Sequence, residues 1–268
     1  MPTHSEFALA ERDQTVTVHR WDEGDSPRFV VLLAHGYGEH ARRYDHVADA
    51  LVAAGAVVYA PDHRGHGLSD GEPALVTEVE TLVSDLDAVA DVAAAEQGDL
   101  PVVLIGHSMG GIIATRYAQQ HSDRLVALVL SGPVIGGNPG FEALLGMDPI
   151  PEIPIDPASL SRDPAVGEAY ANDPLVYHGP FKRETLVALF DAIEAIAAGP
   201  KLTLPTLWIH GELDQLAPLD ATRPAIENIR GDAALEEHVY EGAQHEIFNE
   251  TNRDEVIATV IEFIERAL

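Results

Sequence analysis

Strand-like apolar runs recur along the chain, separated by longer stretches in which apolar positions return every three to four residues. The runs cover residues 14–21, 29–35, 56–61, 101–107, 125–132, 206–210 and 235–240. Cores such as Val102-Val103-Leu104-Ile105 lack polar alternation, as strands covered on both faces require. The stretches between them predict helices over residues 44–54, 79–96, 109–120, 219–229 and 253–267. In the last of these, Val256, Ile257, Val260 and Ile264 share one face. Strand and helix in alternation predict an α/β fold with a mostly parallel central sheet flanked by helices.

The rhythm breaks between Pro133 and Pro200. That stretch holds eight further prolines of the 18 in the chain and no clear buried strand. It reads as an insertion across the carboxyl edge of the sheet, where open α/β sheets bind their ligands. Residues 184–198 alone make a convincing helix there, with Leu186, Leu189, Phe190 and Ile193 in register to line a tunnel or to pack on the sheet. Phe141, Leu144 and Leu145 occupy one face of a shorter turn, either as an apolar lip or as packing on the domain beneath. The expected organisation is a core of residues 1–132, a cap of residues 133–200 and a second core part of residues 201–268.

A chain of 268 residues with a 46% hydrophobic share suits one large domain. Cysteine is absent, which excludes disulfides and thiolate metal sites. No apolar run reaches the length of a leader or a membrane span, so a soluble, cytoplasmic protein is expected. Lys plus Arg number 16 against 44 Asp plus Glu, a net charge of -28. Such a chain repels nucleic acid and anionic lipid surfaces, which leaves at most a transient membrane contact through the cap. The acidity fits adaptation to high salt, where screening relieves self-repulsion, and fits acidic drift in an Ala- and Arg-rich proteome equally well.

The chemistry concentrates at the ends of the strands. Gly106-His107-Ser108-Met109-Gly110 matches G-x-S-x-G directly after a buried strand and at the start of a helix. That context makes the sharp turn which exposes a serine nucleophile. A serine hydroxyl needs a base to attack at neutral pH, and in this fold acid and histidine follow the serine in chain order. Asp214, in the loop after the strand ending at His210, is the expected acid, with Glu212 and Asp220 as rivals. His245, in the loop after the next strand, is the expected base. The backbone amides of Tyr37, set between Gly36 and Gly38, and of Met109 are the expected oxyanion donors. His35, His40, His63, His66, His107 and His178 gather near this site without metal-ligand spacing, so they read as structural, and no cofactor or metal is expected. Asp62, Arg64 and Gly65 read as the lock of a loop.

HGYGEHARRYDHV, PDHRGHGLSDG, GHSMGG, HGELDQLAP and GAQHEIFNE together resemble the monoacylglycerol lipase family, especially its bacterial members. SRDPAVGEAYANDPLVYHG is similar as well, and the matches span roughly residues 29–250. The resemblance implies an α/β-hydrolase that cleaves monoacylglycerols to glycerol and fatty acid. It also implies a polar pocket for the glycerol head to which Glu39 and Arg43 contribute; Leu186 and Phe190, from the helical register above, are the candidates for contact with the acyl chain. Two other readings keep the fold: a general carboxylesterase or lysophospholipase, and a ligand receptor without turnover.

Overall fold

The protein is described by a computed structural model that covers residues 2–11, 14–24 and 26–268. The strands are β1 (Thr3–Glu11), β2 (Gln14–Asp22), β3 (Phe29–Ala34), β4 (Ala56–Pro61), β5 (Val102–His107), β6 (Ala127–Ser131), β7 (Thr206–Gly211) and β8 (Leu235–Tyr240). The helices are α1 (Asp45–Ala53), α2 (Val79–Gln97), α3 (Met109–Gln120), α4 (Pro139–Leu145), α5 (Pro164–Asn172), α6 (Arg183–Ala198), α7 (Leu219–Ile229) and α8 (Arg253–Ala267). One sheet runs in the order β1-β2-β4-β3-β5-β6-β7-β8. The pairings from β4 onward are parallel, and β1 and β2 join antiparallel at one rim.

The continuous apolar strands are explained by two covered faces. In β3, Val30 and Leu32 point into a core roofed by α2, α3, α6 and α7. Phe29, Val31 and Leu33 point the other way, into a core closed by α1 and α8. Each such residue is almost wholly withdrawn from water, a transfer worth roughly 2 kcal/mol per large aliphatic side chain. A half-covered strand would have alternated.

β1 is an element that the apolar pattern did not predict. Its sequence is mostly exposed and pairs only with β2, so little hydrophobic signal marks it. It is nonetheless tied inward: His4 Nε2 lies 3.0 Å from His19 Nδ1, and His19 Nε2 lies 3.1 Å from Asp62 Oδ2. The buried Asp62 carboxylate also accepts the Ala41 and Leu68 amides, at 2.8 Å each. Arg64 forks onto Asp85 at 2.6 and 2.7 Å, and Gly65 turns with φ +74°. The loop after β4 is thereby fastened to the loop after β3.

The chain leaves β3 toward β4 on one side and returns to β5 on the other. The strand order reverses between β3 and β5, and a crevice at the carboxyl ends of these two strands follows from that reversal. The segment between β6 and β7 crosses this crevice. It contributes α4, α5 and α6, of which α5 starts at an Asp163 that caps the Ala165 amide ahead of Pro164. Among the described residues no helix is long and apolar enough to cross a membrane.

Candidate active site

Ser108 stands between β5 and α3 with φ 55° and ψ −116°, outside the regions that non-glycine residues favour. Its neighbours must be small for the turn to pass. A β-carbon on Gly106 would lie 2.3 Å from Gly110 O, and one on Gly110 would lie 2.0 Å from Ala34 O. The strain puts the serine at the floor of the crevice, with its Oγ beside the loop after β8.

His245 Nε2 is 2.8 Å from Ser108 Oγ, and His245 Nδ1 is 2.7 Å from Asp214 Oδ2. Asp214 only accepts, so Nδ1 carries the proton and Nε2 is free to receive one from the serine hydroxyl. Asp214 Oδ1 takes the Leu216 and Ala217 amides at 2.9 and 2.8 Å, which aims the other oxygen at the imidazole. Burial works to lower the basicity of His245, but the adjacent Asp214 outweighs it and holds the imidazole above its usual value. Burial likewise disfavours the Asp214 carboxylate, yet His245 keeps its pKa below the ordinary range. The rival acids face elsewhere: Glu212 accepts the Gly242 amide at 2.9 Å, and Asp220 sits in the first turn of α7. His210 is spent on structure, with Nε2 2.7 Å from the Ala217 carbonyl.

Tyr37 and Met109 flank Ser108 in the pocket wall. Among the described residues neither backbone amide donates to a protein acceptor. For Met109 this follows from its place in the first turn of α3, where helix amides have no partner within the helix.

Behind the oxyanion loop lies a buried charge cluster. Arg43 reaches Glu39 at 2.7 Å and clasps both oxygens of Glu246, at 2.6 and 2.8 Å, with its guanidinium over the Tyr170 ring. Glu39 also accepts the Gly36 amide and the Tyr44 hydroxyl, at 2.6 and 2.7 Å. Burial opposes charge on Glu39, and Arg43 overrides it, so the carboxyl is held below its ordinary pKa. The pocket therefore meets two carboxylates at this end, Glu39 and Glu246, with the cation set behind them.

The whole pocket encloses about 600 Å³ with its open mouth, and away from the carboxylates and Ser108 its wall is mostly apolar. Met109 and Ile112 come from α3, while Phe141, Ile155, Phe181, Leu186 and Leu189 come from the segment that crosses the crevice. Of the two readings for α4, Leu144 packs inward and Phe141 faces the pocket. Phe190 is not among the residues that line the pocket; its ring faces Gly137, with Cε1 3.4 Å from where a β-carbon there would stand. One helical turn separates it from Leu186, and α6 rotates it toward the turn after β6. Arg43 likewise does not line the pocket itself.

Glu246, Tyr170, Phe181, Ile155 and Leu160 are pocket residues that sequence reasoning missed. Only Glu246 carried a signal, as a charged neighbour of His245. His107, inside the G-x-S-x-G motif, is pushed down to about 4 by burial and by the nearby His245, and its ring lies tilted at 50° to that of His245 with centroids 4.7 Å apart. His35, His63 and His66 pack together behind Tyr37, and His35 Nε2 accepts the His63 amide at 3.0 Å. Among the described residues no group of three or more His, Asp or Glu is arranged to hold a metal ion.

Comparison with known proteins gives a consistent picture. Residues 25–252 match the family described as serine aminopeptidase, S33. The chain is 38% identical over 257 residues to a monoacylglycerol lipase of Mycolicibacterium smegmatis, covering 91% of this chain and 90% of the relative. It is 32% identical over 242 residues to the monoglyceride lipase of Mus musculus, covering 86% and 79%. Its fold is similar to the crystal structure of a monoacylglycerol lipase from Paleococcus ferrophilus, with a TM-score of 0.80, 27% identity and coverage of 94% and 99%.

Proposed function

The chain belongs to the monoacylglycerol lipase family of α/β-hydrolases, and on that premise we propose that it cleaves monoacylglycerols to glycerol and free fatty acid through an acyl-enzyme on Ser108. One observation carries the reading. His245 bridges Ser108 and Asp214 at 2.8 and 2.7 Å, on the floor of a pocket that is apolar on one side and carries Glu39 and Glu246 on the other. An ester with a hydrocarbon chain and a neutral polyol head suits both halves.

In the proposed reaction His245 takes the Ser108 proton as Oγ attacks the ester carbonyl, while Asp214 holds the imidazole in the reactive tautomer. The oxyanion forms against the Tyr37 and Met109 amides, where each donor is worth about 3 kcal/mol. His245 then protonates the departing glycerol. Water repeats the sequence on the acyl-enzyme and releases the fatty acid. Glu39 and Glu246 accept hydrogen bonds from glycerol hydroxyls, and the same carboxylates disfavour a phosphate-bearing head. The apolar wall of Phe141, Leu186 and Leu189 takes the acyl chain. The segment of residues 133–200 serves as the cap.

The test is fatty acid and glycerol release from mono-, di- and triacylglycerols of several chain lengths, with Ser108→Ala beside the unaltered chain. The reading expects turnover of monoacylglycerols that falls on the order of a millionfold in the variant. Activity confined to short soluble esters would move the function to a general carboxylesterase. No activity on any ester, with Ser108 inert to a fluorophosphonate, would end the serine-hydrolase reading.

A further inference from the structure

Phe181 sits where the apolar pocket meets the loop that carries Tyr37. Its ring stacks on Tyr37 with centroids 5.0 Å apart and 18° between the planes, and it meets Phe141 at 4.8 Å. All three rings line the pocket. Tyr37 is partly buried, and among the described residues its hydroxyl has no hydrogen-bond partner, so the ring is held by its aromatic neighbours: the stack on Phe181 and edge contacts with His66 and Tyr177.

The same two segments are joined twice more. The Tyr177 amide donates to the Gly38 carbonyl at 2.7 Å, and His40 Nε2 lies 2.9 Å from Asp173 Oδ2. The core holds the loop through Ala41 N–H on Asp62 and through Glu39, which takes the Tyr44 hydroxyl and Arg43. On its other side, Tyr37, Gly38 and His40 meet residues 173–181 of the segment that crosses the crevice.

We propose that Phe181 is a positioning residue for the reaction: by stacking on Tyr37 it fixes the Tyr37 amide where the oxyanion forms. The inference rests on the reading of Ser108 as nucleophile and Tyr37 as donor. Part of the oxyanion geometry is then supplied by the segment that also receives the acyl chain. Donor placement is exacting, since a displacement of about 1 Å at a reacting centre costs on the order of a hundredfold in rate.

A residue that merely lines the pocket behaves differently. Trimming it raises KM for long acyl chains and leaves a short ester alone. The experiment therefore uses a butyrate ester and its thionoester, whose sulfur accepts hydrogen bonds poorly, on the unaltered chain, Phe181→Leu, Phe181→Tyr and Asp173→Asn. Phe181→Leu is expected to lower kcat on the butyrate ester roughly ten- to a hundredfold with KM within about twofold. The ratio of ester to thionoester turnover should shrink with it, and Phe181→Tyr, which keeps the stack, should restore both. Asp173→Asn loosens the same loop from outside the pocket and should shift kcat and the ratio in the same direction. It decides the matter if Phe181→Leu fails to fold. Unchanged kcat and ratio on the butyrate pair, with losses confined to KM for long chains, would overturn the inference while leaving the triad in place. An unaltered chain inactive on every ester would bring down the hydrolase reading, and the inference with it.

Discussion

Replacing Arg43 by methionine tests the buried charge cluster. The side chain keeps its approximate length and loses three short charge-assisted bonds, at 2.7, 2.6 and 2.8 Å. Glu39 and Glu246, 3% and 5% exposed, are left without a cation. Removing one partner of a buried ion pair costs about 3–5 kcal/mol, because the surviving charge stays out of water. Glu39 retains the Gly36 amide and the Tyr44 hydroxyl, which argues for about 4 kcal/mol rather than the upper end. At about 2.1 cal/mol/K per residue, a chain of 268 residues loses roughly 7 °C of Tm for that change. The pH dependence carries the diagnosis. With Arg43 present, Glu39 sits below its usual 4.5, so its stabilisation is in force above that value and fades as the pH falls through the lowered pKa. Without Arg43, burial is opposed only by the weaker Gly36, Tyr44 and His107 contributions and should raise Glu39, so the variant loses stability as the pH climbs past about 4.5. Thermal melts of both proteins across about pH 4.5 to 8 should show a gap that widens with pH. A gap of under about 2 °C at pH 8, or one that does not change with pH, would refute the reasoning.

Three further outcomes follow from the geometry. In the proposed mechanism His245 works only as the neutral imidazole, and its pKa is raised above 6.5, so kcat/KM should fall on the acid side through a limb centred above 6.5, read from a pH–rate profile on a neutral ester. Gly110→Ala pushes a β-carbon to 2.0 Å from Ala34 O, and a loss of about 3 kcal/mol or no soluble protein is expected; a melt close to the unaltered chain would contradict it. Leu189→Trp fills the apolar end of the pocket, so kcat/KM on long-chain monoacylglycerols should fall on the order of tenfold while short chains are spared, measured over a chain-length series.

The central strands β3 to β7 were legible because two-sided burial writes an unbroken apolar run, and the main helices because one-sided burial writes a helical stripe; β2 and β8 were also found, though they are only partly buried and carry polar residues within the run. β1 wrote neither, being a rim strand whose bonds run to a single neighbour. The candidate nucleophile was legible because the tight turn at Ser108 leaves no room for a β-carbon at Gly106 or Gly110, so the backbone constraint itself appears as glycines. Asp214 and His245 were placed by order and loop position, and the structure brings both to Ser108. The pocket wall was not legible. Phe181, Ile155 and Tyr170 come from proline-broken chain whose path depends on what it lies against, and helical register alone does not say which way the stripe of Leu186, Leu189 and Phe190 is turned. Arg43 and Glu246 are 203 residues apart, and nothing local announces that they meet.

The hydrogen-bonded line from His4 through His19 to Asp62 gives the rim of the sheet a reach beyond its own hairpin. Asp62 is a junction: one oxygen steadies Ala41 beside the oxyanion loop, while the other is shared between Leu68 and His19. Trimming or tagging the molecule at β1 would therefore act on a loop on the far side of two strands, though among the described residues none of β1 lines the pocket. For anyone shortening this chain for crystallisation or fusing it to a carrier, the amino-terminal strand belongs with the proposed active site it does not line.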